Sequence, residues 1–177
     1  MHYEIDASEW LNTDAPPRLA SLRGRVVAVA VFQMLCEGCA RMSLPQARSL
    51  HSAFAAEDLA VIGLHSVFEH HAVMTPAALR VFAHEYRLSF PIAIDRPAEG
   101  ATVPQTMRRW SLNGTPSLLV FARDGQLALR HFGHVDDLQL GALLGQLVAQ
   151  RAAAPAARVD AAVDGGPVCN APPSRSL

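Results

Sequence analysis

The stretch VFQMLCEGCARMSLP, residues 31–45, decides how the chain is read, because it sets two cysteines directly behind an apolar run. Upstream, RVVAVAVF (25–32) is continuous and β-branched, the composition of a strand covered on both faces. Downstream, Met42, Ala47, Leu50 and Phe54 fit one stripe of a helix. The motif Cys36-Glu37-Gly38-Cys39 therefore sits where a core strand ends and a helix begins. Unsatisfied backbone N–H groups and the helix dipole favour a thiolate at such a junction, where cysteines fall from a free pKa of about 8.5 to roughly 3.5–7.5. Two intervening residues let both sulfurs meet on one turn, with Cys36 the outer and Cys39 placed to attack a mixed disulfide formed there. Glu37 opposes a thiolate by like-charge proximity. The spacing by itself leaves three readings open: a redox pair, two metal ligands, or buried thiols.

The rest of the chain narrows them. With 177 residues, half of them apolar, one sizeable core and a single globular domain are expected. A net charge of −1, with both signs mixed along the chain, predicts neither a nucleic-acid partner nor a membrane surface. The N-terminal MHYEIDASEW lacks the basic flank and apolar run of a secretory signal, and no apolar stretch is long enough to span a bilayer, so a cytoplasmic location is expected. Three cysteines argue against a disulfide framework, and a close pair in a reducing compartment points to chemistry or metal. From 152 the composition turns to Ala, Pro and Gly without apolar periodicity. This predicts a domain over 1–151 and a flexible tail over 152–177 that carries Cys169.

Within 1–151 strands alternate with helices. LAVIGLH (59–65) reads as a second buried strand, and Thr75-Pro76 is an N-cap with proline in the first turn. Leu79, Phe82 and Tyr86 follow at helical spacing. FPIAI (90–94) is a short strand and Gln105 to Trp110 a short helix. SLLVFA (117–122) leads through Asp124-Gly125 into QLALRHF, a hairpin, and a last helix from about Asp136 places Leu140, Leu143, Leu144 and Leu147 on one face. The pattern predicts a three-layer α/β domain with a mixed central sheet.

A second motif lies far away in sequence: NGTPSLLVF (113–121), with Pro116 immediately before a strand, where a missing N–H costs no ladder bond. A strand, a C-x-x-C opening a helix, then Gly-Thr-Pro before a strand–turn–strand–helix ending resembles the thioredoxin superfamily. The approach to the motif, RLASLRGRVVAVAVFQMLCEGC, resembles most its TlpA-like and redoxin thiol–disulfide oxidoreductases. The resemblance runs from about Trp10 to Arg151. It implies a thioredoxin-like three-layer α/β/α sandwich in which residues 65–91 supply the extra helix and strand of the TlpA-like branch. It also implies that Cys36 attacks and Cys39 resolves, and that Thr115-Pro116 forms a cis-proline loop pairing with an extended substrate. The substrate would be a disulfide-containing protein or a small thiol, and a thiol reductase or similar donor would return electrons. No cofactor is implied, since the dithiol carries the electrons.

Departures from that family pattern are specific. Six positions before the first cysteine, where many members carry an acidic or polar residue, stands Ala30, so a proton acceptor for Cys39 must come from elsewhere; Glu69 is the candidate. Leu35 replaces a common tryptophan, and the helix proline falls one residue late, at Pro45. A thiol peroxidase is the first alternative, but Gln33 and Ala28 stand where peroxiredoxins typically carry Thr or Ser and Pro. A metal site drawing on His65, His70, His71, His131 or His134, and an idle binding scaffold, complete the alternatives. No Gly-x-Ser-x-Gly elbow supports a hydrolase.

Overall fold

The computed structural model describes residues 3–150; the predicted tail over 152–177, with Cys169, lies outside the described residues. Six strands form one mixed sheet: β1 (Ala7–Leu11), β2 (Val26–Phe32), β3 (Leu59–His65), β4 (Ile92–Asp95), β5 (Ser117–Phe121) and β6 (Leu127–Phe132). Four helices accompany them: α1 (Leu44–Ala53), α2 (Pro76–Glu85), α3 (Gln105–Arg109) and α4 (Asp137–Ala149). The strand order is β1-β4-β3-β2-β5-β6. β2, β3 and β4 run parallel, while β5, β6 and β1 are antiparallel to their neighbours. None of the helices among the described residues is long and apolar enough to cross a membrane.

Burial explains this order. β2 and β3 are buried at every position, as their unbroken apolar sequences require, and they occupy the centre. Alternate side chains of β2 then feed two cores. Val26, Ala28, Ala30 and Phe32 pack with Leu44 and Ala47 of α1, Leu79 and Ala83 of α2, and Leu140, Leu144 and Leu147 of α4. Val27, Val29 and Val31 pack on the opposite face with Leu22, Ile62, Trp110 and Phe121. Three layers result; residues 65–91 contain α2, and the strand expected there, β4, begins only at Ile92 and extends the sheet beyond β3.

Local signals act where they were read. Thr75 Oγ1 accepts the Ala78 N–H at 3.2 Å, and Asp136 Oδ1 accepts those of Leu138 and Gln139 at 3.0 and 3.1 Å, so both N-caps are made by side chains. Gly125, at φ +84°, turns the hairpin between β5 and β6. Two expectations are corrected, and one strand is added. Met42 is 46% exposed and Leu44 takes its place in the core. A π-helical turn, Cys39–Ser43, precedes α1 and shifts the phase of the stripe; Pro45, which has no N–H to donate, is the second residue of α1. Tyr86 closes α2 at the surface, stacked on Phe82 at 4.1 Å, while Ala83 enters the core. β1 has no counterpart in the sequence reading; it pairs antiparallel with β4, more than 80 residues away.

Gly63 marks the tightest packing in β3. A Cβ there would stand 3.0 Å from Phe90 and 3.2 Å from both Phe32 and Ile92, all buried. Replacing Gly63 by Ala should therefore lower stability by about 1–2 kcal/mol despite relieving a glycine's chain entropy, as measured by urea unfolding.

Candidate active site

The C-terminal ends of β2 and β3 and the loop entering β5 meet at one point, and the two cysteines lie there. After Phe32 the chain makes a turn closed by the Cys36 N–H donating to the Gln33 carbonyl at 3.2 Å, and the Ala40 N–H then donates to the Cys36 carbonyl at 3.0 Å to start the helix. The Cys39 N–H points back at Cys36 Sγ, 3.4 Å away. Cys36 Sγ in turn donates to the Thr115 carbonyl at 3.5 Å. Both cysteines are free thiols, Cys36 half-buried and Cys39 wholly enclosed.

The proline loop faces them. The Thr115-Pro116 peptide is cis. A Cβ added to Gly38 would stand 3.4 Å from Pro116 Cδ, so the proline ring lies over the turn between the cysteines. Ser117 Oγ donates to the Gly114 carbonyl at 2.8 Å and the Gly133 N–H to the Pro116 carbonyl at 2.8 Å, which ties this loop to β6. Glu37 extends into solvent and pairs with Arg41 at 2.8 Å, an exposed i,i+4 ion pair of small energetic weight.

Burial makes the two sulfurs unequal. The Cys39 thiol is pushed up to about 12, first by desolvation and then by the hydrogen bond and charge of Cys36, while hydrogen bonds from the Gln33 backbone and the Thr115 side chain pull it down. Glu69, expected as a proton acceptor for it, is exposed, and its hydrogen bond is to the Gln33 side chain at 3.3 Å rather than to either sulfur. That places the carboxylate one side chain away from the dithiol turn.

Three polar side chains take a part that the sequence does not give them: His65 stands there only as a metal candidate, Gln33 only as a departure from the peroxiredoxin pattern, and Asp95 not at all. His65, which ends β3 opposite Phe32, is buried, and its Nε2 accepts the Met34 N–H at 3.4 Å. Burial lowers its pKa to about 4, so the imidazole is neutral, as that acceptor role requires. Gln33 is 1% exposed; its Oε1 accepts the Phe68 N–H at 3.2 Å while Nε2 donates to Glu69. Asp95, at the end of β4, accepts N–H groups of Thr106 and Met107 at 2.8 and 3.0 Å and the Ser66 hydroxyl at 2.8 Å. Burial raises its pKa against those donors. The available signal was positional: each residue directly ends or follows an apolar strand, where a lone polar side chain must find partners.

The histidines do not converge. His65 is in the core, and His71, exposed, has Nε2 3.2 Å from the Thr102 carbonyl. Among the described residues no three His, Cys, Asp or Glu side chains are grouped to hold a metal ion.

Comparison with known proteins agrees with this geometry. A thiol–disulfide isomerase from Corynebacterium glutamicum is 48% identical, with a TM-score of 0.80 over 83% of this chain and 95% of its own. A crystal structure of a thioredoxin-like superfamily protein matches at 43% identity with the same coverage and TM-score. This chain belongs to the thioredoxin-like superfamily. Its fold is that of thiol–disulfide oxidoreductases, with the C-x-x-C cysteines of the superfamily side by side. The DipZ proteins of Mycobacterium bovis and Mycobacterium tuberculosis are 35% identical over 88 residues, 49% of this chain. The matched segment spans only 12% of the length of those curated relatives. No family model matches.

Two outcomes follow from the site's electrostatics. Alkylation of the folded, reduced protein at neutral pH should modify Cys36 well before Cys39, by peptide mapping, since Cys39 is enclosed and held protonated. For His65, the unfolded chain takes up a proton near pH 6.5 and the folded chain only near 4. Stability is therefore full above about pH 6.5 and falls as pH drops toward 4, by on the order of 3 kcal/mol. Urea unfolding between pH 7 and 4.5 should show wild type losing more stability than His65→Gln.

Proposed function

We propose that this protein catalyses thiol–disulfide exchange, with disulfide-containing proteins as substrates. The observation that carries the reading is the pairing of one accessible sulfur with one enclosed sulfur. Cys36 Sγ is half-buried beneath the Thr115 carbonyl, and the amide of Cys39 is aimed at it.

In this reaction the Cys36 thiolate attacks one sulfur of the substrate disulfide. The substrate S–S bond breaks, a Cys36–substrate disulfide forms, and the other substrate sulfur leaves as a thiolate and takes up a proton. Cys39 then gives up its proton and attacks Cys36 Sγ, forming the Cys36–Cys39 disulfide and releasing the second substrate thiol. One substrate disulfide is reduced by two electrons and the protein dithiol is oxidised by two. A thiol reductant returns the pair to the free form, and the reverse sequence oxidises a client.

The inequality of the sulfurs orders these steps. In the free dithiol, burial first and then the hydrogen bond and charge of Cys36 hold Cys39 protonated. Once Cys36 is in a mixed disulfide that charge is gone, while the Gln33 backbone and the Thr115 side chain still favour a Cys39 thiolate. The first step thereby removes the share of that protonation due to Cys36, which favours attack by Cys39 against the remaining effect of burial. The peroxidase alternative has less support, because Gln33 is 1% exposed and its amide is directed at Phe68 and Glu69, away from a peroxide approaching Cys36 from solvent.

Equilibration across thiol–disulfide redox buffers, followed by alkylation trapping and peptide mapping, should give a reversible Cys36–Cys39 bond with a defined midpoint. Cys36→Ser should abolish exchange with a protein disulfide, and Cys39→Ser should accumulate the mixed disulfide at Cys36. Absence of the Cys36–Cys39 bond at every poise would end the proposal.

A further inference from the structure

The turn that delivers the nucleophile, residues 33–36, is fastened from behind by side chains, and the segment it is fastened to is the exit from β3. Ser66 N–H donates to the Phe32 carbonyl at 3.0 Å and Met34 N–H to His65 Nε2 at 3.4 Å. Gln33, almost wholly buried, spans the gap with both ends of its amide, accepting from Phe68 and donating to Glu69. The same residue's carbonyl receives the Cys36 N–H, and its backbone lies beside Cys39.

We infer that Gln33 is a positioning residue: its amide clamps the loop of Phe68 and Glu69 to the turn before Cys36 and so sets how readily Cys39 closes a disulfide with Cys36. The reasoning is geometric. Ring closure between two cysteines depends on the fraction of time their sulfurs are held within reach, and a turn whose only fastening is its own backbone samples more arrangements. A buried amide with both polar atoms bonded is a stiff strut, and deleting its hydrogen bonds frees the loop as well as the turn. The carboxylate of Glu69 acts here as an acceptor that orients the amide, since it stands beyond Gln33 from the sulfurs. This inference rests on the exchange reading above.

The test compares the wild-type chain with Gln33→Met, which keeps length and volume and removes both hydrogen bonds, and with Glu69→Gln, which keeps an oxygen acceptor and removes the charge. Each is equilibrated in redox buffers and the Cys36–Cys39 bond is quantified by trapping. Gln33→Met should lower the equilibrium constant for closure at least tenfold, which raises the midpoint by about 30 mV for this two-electron couple. Glu69→Gln should stay within about threefold of wild type, as expected of an orienting acceptor. Gln33→Asn, one methylene too short to reach Phe68 and Glu69 together, stands in if the methionine variant does not fold. A folded Gln33 variant whose closure constant matches wild type within twofold overturns the inference, and so does a tenfold change in Glu69→Gln, which would assign the effect to charge. Failure of the exchange reading itself would look different: wild type would form no Cys36–Cys39 bond.

Discussion

The register of β2 between its two neighbours is the constraint on which the site depends. On one side Phe32 lies opposite His65 in parallel pairing, and on the other Val31 lies opposite Ser117 in antiparallel pairing. These two alignments bring together the residues that follow β2, those that follow β3 and those that precede β5. Cysteines, histidine and proline loop meet because three strands stop at one level. A slip of one residue would turn Ala30 and Phe32 from one core toward the other and carry Cys36 away from Thr115. The two faces of β2 differ in size, with Ala28 and Ala30 toward one core and Val27, Val29 and Val31 toward the other, and that difference holds the register against such a slip.

Around that meeting point the polar side chains are divided by depth. Neutral His65, the doubly bonded amide of Gln33 and the capped carboxylate of Asp95 are buried, and each satisfies backbone N–H groups at a strand end or helix start. They order the loops behind the dithiol without a paired charge in the interior. The charged groups Glu37, Arg41 and Glu69 stand at the surface, where screening limits their reach. One sulfur sits on each side of this division, and the contrast between an accessible Cys36 and an enclosed Cys39 is what two-step exchange uses.

Legibility followed the range of the interactions. β3 was readable to its end residues because seven consecutive core residues leave a pattern that needs no partner to interpret. The caps at Thr75 and Asp136 were readable for the same reason, since the side chain and the N–H it satisfies lie two or three residues apart. β1 was not, because ASEWL becomes a strand only by pairing with β4, across a separation no local pattern records. Met42 was misplaced because a π-helical turn changes the angular step between residues, and periodicity assumes that step is constant.

By itself the sequence determined the class of the fold and the place of the cysteine pair in it: a strand–C-x-x-C–helix unit and a Thr-Pro before a strand–hairpin–helix ending, each a local arrangement of apolar period and special residues. Only the tertiary structure decided what surrounds the sulfurs. It removed Glu69 from direct contact with them, set Gln33 and His65 behind the turn, and enclosed Cys39 while leaving Cys36 at the rim. The physical reason is that these relations arise between the ends of strands paired across 30 to 90 residues. Burial and hydrogen bonding there are properties of the assembled sheet, and no single stretch of chain contains them.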